Sequence, residues 1–251
     1  MSRAILITGA SRGIGRACAL HLARREGASL HLLGRDGAAL ADLVEEIRAE
    51  GGHATAHVAS VTDRPRLKEV ASACGPLDAL VAAAGISGLT PVDLDSDDCF
   101  DEILATDLTG CWNSVRAFRP NLLGRPSRIV LVSSVLGRFG VPGYGAYCAA
   151  KHGLLGLTKA LALELLSQGI TVNAVAPGWV DTAMAQTGLR GMAEALGLSE
   201  AEARARAEAA VPAGRFFRPE EIAQGIAWLL DPANTMQVGQ CLNLDGGVVQ
   251  V

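Results

Sequence analysis

The feature that most limits the folds open to this chain lies at its N-terminal end. The apolar run AILITG meets the turn Thr8-Gly9-Ala10-Ser11-Arg12-Gly13-Ile14-Gly15 and passes into RACALHLARREG. Apolar run, glycine-rich turn and helix, in that order, open a βα unit. Glycines in such a turn let the backbone bend tightly and approach a pyrophosphate, while the helix start presents unpaired N–H groups and a partial positive charge. A chain that begins this way is committed to a parallel sheet and equipped to hold an anion at the end of its first strand.

The rest of the sequence keeps that rhythm. Strands are expected at Ser29–Leu33, Ala54–Val58, Leu80–Ala84, Arg128–Val132 and Thr171–Val175. Helices are expected over ALADLVEEIRAEGG, Pro65–Ala73, Ser96–Phe118 and Ala146–Ser167. In the first of these helices Leu40, Leu43, Val44 and Ile47 recur at helical spacing, and Pro65 suits a first helical turn. Short continuous apolar strands alternating with helices predict an α/β fold, a single Rossmann-type doubly wound parallel sheet with helices on both faces. No linker or repeat divides residues 1–251, so one dinucleotide-binding and catalytic domain is expected. Only the Ala-rich and charge-rich segment at about 183–213 breaks the pattern. Its SEAEARARA begins like a capping box and reads as a helix. Following a strand end, where parallel sheets keep their ligand crevice, it reads as a small helical lid insertion, the alternative being a surface excursion.

Composition removes several function classes. With 49% hydrophobic and 19% charged residues the chain can bury a large core, which excludes intrinsic disorder. Its 22 basic and 26 acidic residues, net charge -4, carry no field for nucleic acid or an anionic membrane, so neither is an expected partner. The longest apolar stretch, Leu154–Leu166, is interrupted by Lys159 and Glu164 and falls short of the roughly 20 apolar residues of a membrane span. MSRAILITGAS has neither the basic start nor the cleavage site of a signal peptide, and a cytoplasmic protein is expected. Cys18, Cys74, Cys99, Cys111, Cys148 and Cys241 are scattered without CxxC or His-containing ligand spacing. They read as reduced, mostly buried hydrophobes, with no metal site and no disulfide framework indicated.

Chemistry concentrates in VSSVLG, which holds Ser134, and YCAAKHG, which holds Tyr147 and Lys151. Together with the TGxxxGxG turn, LVAAAG, NAVAPGWVDT, GRFFRPEEIA and LNLDGG, in that order, these stretches make the chain resemble the short-chain dehydrogenases/reductases over nearly its whole length. Tyr147 and Lys151 are four residues apart and so share one helix face. A tyrosine of ordinary pKa about 10 transfers protons poorly at neutral pH unless a nearby cation stabilises its phenolate, and Lys151 supplies that cation. Ser134, at a strand end, can hydrogen-bond the same substrate oxygen.

The resemblance implies roles. Tyr147 is the proton donor or acceptor, Lys151 the phenolate stabiliser and nicotinamide-ribose ligand, Ser134 the carbonyl orienter, and Asp107 stands at the fourth catalytic position. It also implies cofactor contacts at Gly9, Ser11, Arg12, Gly13, Ile14 and Gly15, at Arg35, Ser60 and Val61, at Ala83, Ala84 and Gly85, and at Pro177, Gly178, Val180 and Thr182. The Val180 backbone and the Thr182 hydroxyl would hold the nicotinamide carboxamide, whereas Trp179 reads as a core or lid aromatic. Members that use NAD carry an acidic residue at the end of the second strand; here Gly34 stands there, followed by Arg35, with Arg12 as a second cation. Asp36 is better explained as a helix N-cap. NADPH is therefore the expected cofactor.

Three places depart from the family pattern. Asp107 replaces an asparagine whose main-chain carbonyl the family uses, so the relay is expected to survive. The carboxylate would be a burial burden, and asparagine in its place is expected to be tolerated. Ser60 replaces an aspartate that meets the adenine, and Ala82 and Ala83 replace two asparagines. The expected function is an NADPH-dependent carbonyl reductase acting on a small-molecule ketone or acyl thioester, most like 3-oxoacyl thioester reductases and polyketide ketoreductases. The alternatives are an NAD-dependent secondary-alcohol or hydroxyacyl dehydrogenase and a catalytically silent NADP(H)-binding sensor. Leu136, Gly137, Arg138, Phe139, Val141 and Tyr144 are expected to line the substrate pocket, giving it one cation. A homotetramer is expected from the leucines around the Ala146–Leu166 helix and the apolar end Val248–Val251.

Overall fold

The computed structural model describes residues 2–92 and 99–250; the expected helix start near Ser96, and Val251, lie outside them. Seven strands form one sheet: β1 (Ala4–Thr8), β2 (Ser29–Gly34), β3 (His53–Val58), β4 (Ala79–Ala82), β5 (Ser127–Val132), β6 (Ile170–Pro177) and β7 (Cys241–Leu244). All pairings are parallel, in the order β3-β2-β1-β4-β5-β6-β7. The chain winds outward from β1 to β3, then crosses back to β4 and winds the other way. The connections therefore diverge above the C-terminal ends of β1 and β4 and leave a crevice there.

Helices cover both faces, as a sheet buried on both sides requires. On one side Ile5 and Ile7 of β1 pack with α1 (Gly13–Glu26), α2 (Gly37–Ala49) and α9 (Pro219–Leu230). On the other, Leu6 and Leu80 pack with α3 (Arg64–Cys74), α5 (Gly110–Leu122) and α6 (Gly145–Leu166), with Phe118 fully buried among them. The alternation of Ile5, Leu6 and Ile7 between two cores is the strand period of two.

Two local features differ from the expectation. The helix expected as one piece through Phe118 is instead α4 (Phe100–Ile103), a π-helical segment (Leu104–Thr109) and α5. The wider turn brings Thr106 and Asp107 inside, and Gly110 lets the helix close on Val61, whose side chain a Cβ there would overlap. Second, α9 and β7 complete the sheet and its cover beyond the six expected strands. The four residues of β7 are only partly buried, so they give no continuous apolar run to read.

The 183–213 excursion is a pair of helices, α7 (Ala183–Leu196) and α8 (Glu200–Ala209), with the Ser199–Glu202 capping box in place. It has a small core of its own, in which Ala185, Leu189, Ala207 and Phe216 pack with Trp179 and Met192. Trp179 stacks on Phe216 with ring centroids 4.8 Å apart. Arg204 lies 4.6 Å over the other ring and reaches Asp181 at 2.8 Å, which ties α8 to the segment leaving β6.

Candidate active site

The glycine turn crosses the crevice at the end of β1. Gly9 has φ +68, and a Cβ there would lie 2.7 Å from the carbonyl oxygen of Ala83, so the turn can pass the end of β4 only as glycine. A Cβ on Gly15 would overlap the carbonyl oxygen of Gly9. No side chain caps α1, and no acidic residue stands in its first turn. Its leading N–H groups therefore face the crevice with their dipole uncompensated by the protein, the arrangement that suits a pyrophosphate.

At the adenosine side, Ser11 packs beside Gly34, and Arg12 and Arg35 are both exposed. Arg35 makes only a 3.9 Å approach to Glu102. The Asp36 carboxylate accepts the Ala39 N–H at 3.1 Å and so caps α2. Ser60 follows β3 and turns its hydroxyl on Thr62, Oγ1 at 2.8 Å and N at 3.2 Å, in a local turn. Val61 is held by Asn113 of α5, a residue the sequence reading passed over. Its amide donates to the Val61 carbonyl at 3.1 Å while its oxygen accepts from Arg64 at 2.9 Å. A buried amide inside an otherwise apolar helix face was the available signal.

Ala83, Ala84 and Gly85 continue past β4. The Ala84 N–H donates to the Thr8 hydroxyl at 3.2 Å, so the backbone after Ala82 and Ala83 keeps a side-chain partner without the two missing amides. At the end of β6 Pro177 pairs with Leu244 of β7, Gly178 packs on Asp245, and Val180 pairs with Phe217. Thr182 caps α7 by accepting the Ala185 N–H at 3.3 Å and donates to Val180 O at 3.2 Å.

Ser134, Tyr147, Lys151 and Asp107 come together where β5 ends, against α6 and the π segment. Tyr147 is buried in a cluster of Ile103, Ala146 and Ala150, with Leu136 and Tyr144 against it. Ser134 stands near enough to its hydroxyl to favour the phenolate, and the Lys151 ammonium lies 5.2 Å from its ring centroid. Burial raises the phenol above its ordinary value; Lys151 and Ser134 offset only part of this, and the Asp107 charge adds to it. Lys151 Nζ donates to Val132 O at 3.2 Å and lies 3.0 Å from Asp107 Oδ2, with side-chain exposures of 5% and 0%. Burial opposes the Lys151 charge, but the charges of Asp107 and Tyr147 together outweigh it and raise the ammonium above its usual range.

The expectation for Asp107 is thereby corrected. Its carboxylate is not unpartnered: Oδ1 accepts the Ile86 N–H at 2.8 Å, and Oδ2, which accepts no hydrogen bond, stands in the ion pair with Lys151. A second correction concerns the substrate pocket. Arg138 turns away to donate to Cys241 O at 3.4 Å and lines a separate 660 Å³ cavity with Lys159, Asn243 and Asp245. The wall beside Tyr147 is formed by Leu136 and Tyr144, with α7 across from it. A Cβ on Gly188 would lie 3.4 Å from Trp179 and 3.7 Å from the Tyr144 hydroxyl. The chamber carries no cation from Arg138.

Comparison with known proteins agrees with this geometry. A family model described as enoyl-(acyl carrier protein) reductase matches residues 9–249. The chain is 37% identical over 249 residues to the 3-oxoacyl-(acyl-carrier-protein) reductase FabG of Thermotoga maritima, covering 97% of this chain and 96% of that protein. It is likewise 37% identical over 254 residues to the FabG of Staphylococcus aureus, covering 99% and 98%. Among solved structures it is similar to an actinorhodin polyketide ketoreductase with NADPH, at TM-score 0.92 and 34% identity over 98% of this chain and 97% of that one. A dehydrogenase/reductase from Sinorhizobium meliloti follows at TM-score 0.86 and 31% identity, covering 100% and 96%.

Proposed function

Because the chain belongs to the short-chain dehydrogenase/reductase family, we propose that it is a cytoplasmic, homotetrameric NADPH-dependent reductase of a 3-oxoacyl thioester or polyketide-type ketone. We place the cofactor and substrate sites in one domain, with 183–213 as the lid. The observation that carries the reading is the buried Ser134–Tyr147–Lys151 arrangement at the C-terminal end of β5.

The residues present fit the cofactor. The glycine turn leaves room that a Cβ would fill, the start of α1 is uncapped, and two exposed arginines flank a second-strand end that carries no carboxylate. When bound, NADPH supplies the hydride. Ser134 and Tyr147, side by side at the end of β5, would both donate to a ketone oxygen placed between them and so fix the carbonyl. Tyr147 gives its proton to the oxygen as charge develops there. Lys151 stabilises the phenolate left behind, and Asp107 keeps Lys151 charged and aimed. The names of the FabG relatives and of the polyketide ketoreductase support the substrate class. An apolar and aromatic wall of Leu136, Tyr144 and Trp179 suits either one.

No described helix is long and apolar enough to cross a membrane. The tetramer is supported by Leu163, which stands 79% exposed on α6 with Leu166 near it. Initial rates of NADPH oxidation, followed by nicotinamide absorbance, with a 3-oxoacyl thioester, a bicyclic ketone and a simple cyclic ketone test the proposal. Turnover of one of the first two, lost in Tyr147→Phe with NADPH affinity kept, is expected. Tight NADPH binding without turnover of any ketone would overturn it.

A further inference from the structure

Away from the crevice, three metal-ligating side chains converge. His31 on β2 and His57 on β3 stack with ring centroids 5.3 Å apart, and His31 Nδ1 lies 3.0 Å from His57 Nε2. Cys74, the last residue of α3, brings its sulfur to 3.8 Å from the same His57 nitrogen. All three ligand atoms lie within 4.8 Å of one another. They come from positions 31, 57 and 74, so no motif spacing announces them. The sheet creates the cluster: Leu33 pairs with His57 and His31 with Thr55, which puts both imidazoles on the face that α3 covers.

We propose that His31, His57 and Cys74 form a binding site for a borderline-soft divalent cation, zinc in the first instance, that ties β2, β3 and α3 together. With Zn–N of about 2.0–2.1 Å and Zn–S of about 2.3 Å, neighbouring ligands on a tetrahedral ion stand about 3.3 Å (N···N) and about 3.6 Å (N···S) apart. Two edges of the triangle, 3.0 and 3.8 Å, are already close to those values. A rotation of the Cys74 side chain brings in the third. Two imidazoles and one thiol select zinc, cobalt or copper over magnesium or calcium. The two histidines are half-buried and Cys74 is buried, and with three ligands from the described residues the fourth would be water.

Burial lowers both imidazoles, His57 to about 4, so neither has to lose a proton; the ring that donates in the His31–His57 hydrogen bond moves its hydrogen to its other nitrogen on binding. Cys74 is held protonated by burial, so binding expels its proton to solvent and forms the metal–thiolate bond, leaving the site at net charge +1. The fixed charge acting on His57, Arg66, is itself paired with Glu69 at 2.7 Å. The site lies three strands from β5 at β2 and four at β3, about 14–19 Å across the sheet, and does not depend on the reductase reading.

The test is cobalt titration of the chelator-treated full chain. One equivalent should bind with a thiolate-to-cobalt charge-transfer band that zinc abolishes. The band should vanish in Cys74→Ser, affinity should fall at least about tenfold in His31→Gln and His57→Gln, and Cys148→Ser should change neither. Zinc at a hundred times its Kd should raise the thermal midpoint of the wild type by about 5–10 °C and leave that of Cys74→Ser unmoved. Absence of the band, its survival in Cys74→Ser, or an equal zinc shift in wild type and all three ligand variants would overturn the proposal.

Discussion

If Arg35 at the end of β2 meets the 2′-phosphate as proposed, replacing it by aspartate should turn cofactor preference toward NADH. The Arg35 side chain is 59% exposed, and its partner Glu102, 61% exposed, is 3.9 Å away. An exposed pair of that kind is worth about 0–1 kcal/mol, so turning the guanidinium to a 2′-phosphate sacrifices little. The phosphate contact itself would contribute about 1.5–3 kcal/mol, roughly tenfold to over a hundredfold in affinity. Arg35→Asp removes that contact, repels the phosphate and offers acceptors to the ribose hydroxyls of NADH. The ratio of kcat/KM for NADPH to that for NADH should fall by at least about a hundredfold. Arg12→Ala should lower it less, because no repulsion is added. Gly34→Asp should act in the same direction without backbone strain, since a Cβ there meets Ser11 Oγ at an ordinary 3.5 Å. Steady-state kinetics with both cofactors decides the matter. An unchanged ratio in Arg35→Asp, or a wild type that already favours NADH, would refute the reasoning and leave the reductase chemistry standing.

Three further outcomes are expected. Asp107→Ala strands the Lys151 ammonium in the interior and should cost about 3–5 kcal/mol in denaturant unfolding; Asp107→Asn should cost less, because the amide oxygen still accepts the Ile86 N–H. The reductive rate should stay flat from neutral pH upward and fall only above 10.0, the ordinary tyrosine value, because the donor must be protonated and burial raises Tyr147. A rate that halves well below that pH would contradict this, as the proton would then come from another group. Leu163→Arg should split the proposed tetramer in light scattering with little change in the unfolding midpoint, since the side chain is exposed in the single chain.

The parallel sheet was legible because β1, β4 and β5 are continuous apolar runs, and the glycine turn because close backbone approach leaves glycine no substitute. β7 was not, since CLNL is short and only partly buried, and α9 was read as part of a motif without being placed. At the site, Tyr147 and Lys151 could be paired from their spacing on one helix. The ion pair of Lys151 with Asp107 could not, because it depends on a π turn that the spacing of apolar residues does not encode. Arg138 was misplaced for a similar reason. Its position between Ser134 and Tyr147 says nothing of which side of the segment the side chain takes, and it takes the side toward β7. The His31–His57–Cys74 cluster needs two strand registers and a helix end at once.

The π turn at Leu104–Thr109 also bears on how this chain can change over evolutionary time. A π turn holds one residue more than an α turn, so losing a single residue there would let α4 and α5 fuse into one regular helix. The flanks would keep their register, whereas one residue lost from the regular part of α5 would rotate everything on one side by about 100° against the other. What goes with the extra residue is the wide turn that carries Asp107 inward to Lys151. A shortening here should therefore spare the helix and cost the ion pair, while one in the α7–α8 excursion should cost neither. A library of single-codon deletions scored separately for folded protein and for turnover would show the contrast directly, as a stretch where the two scores part.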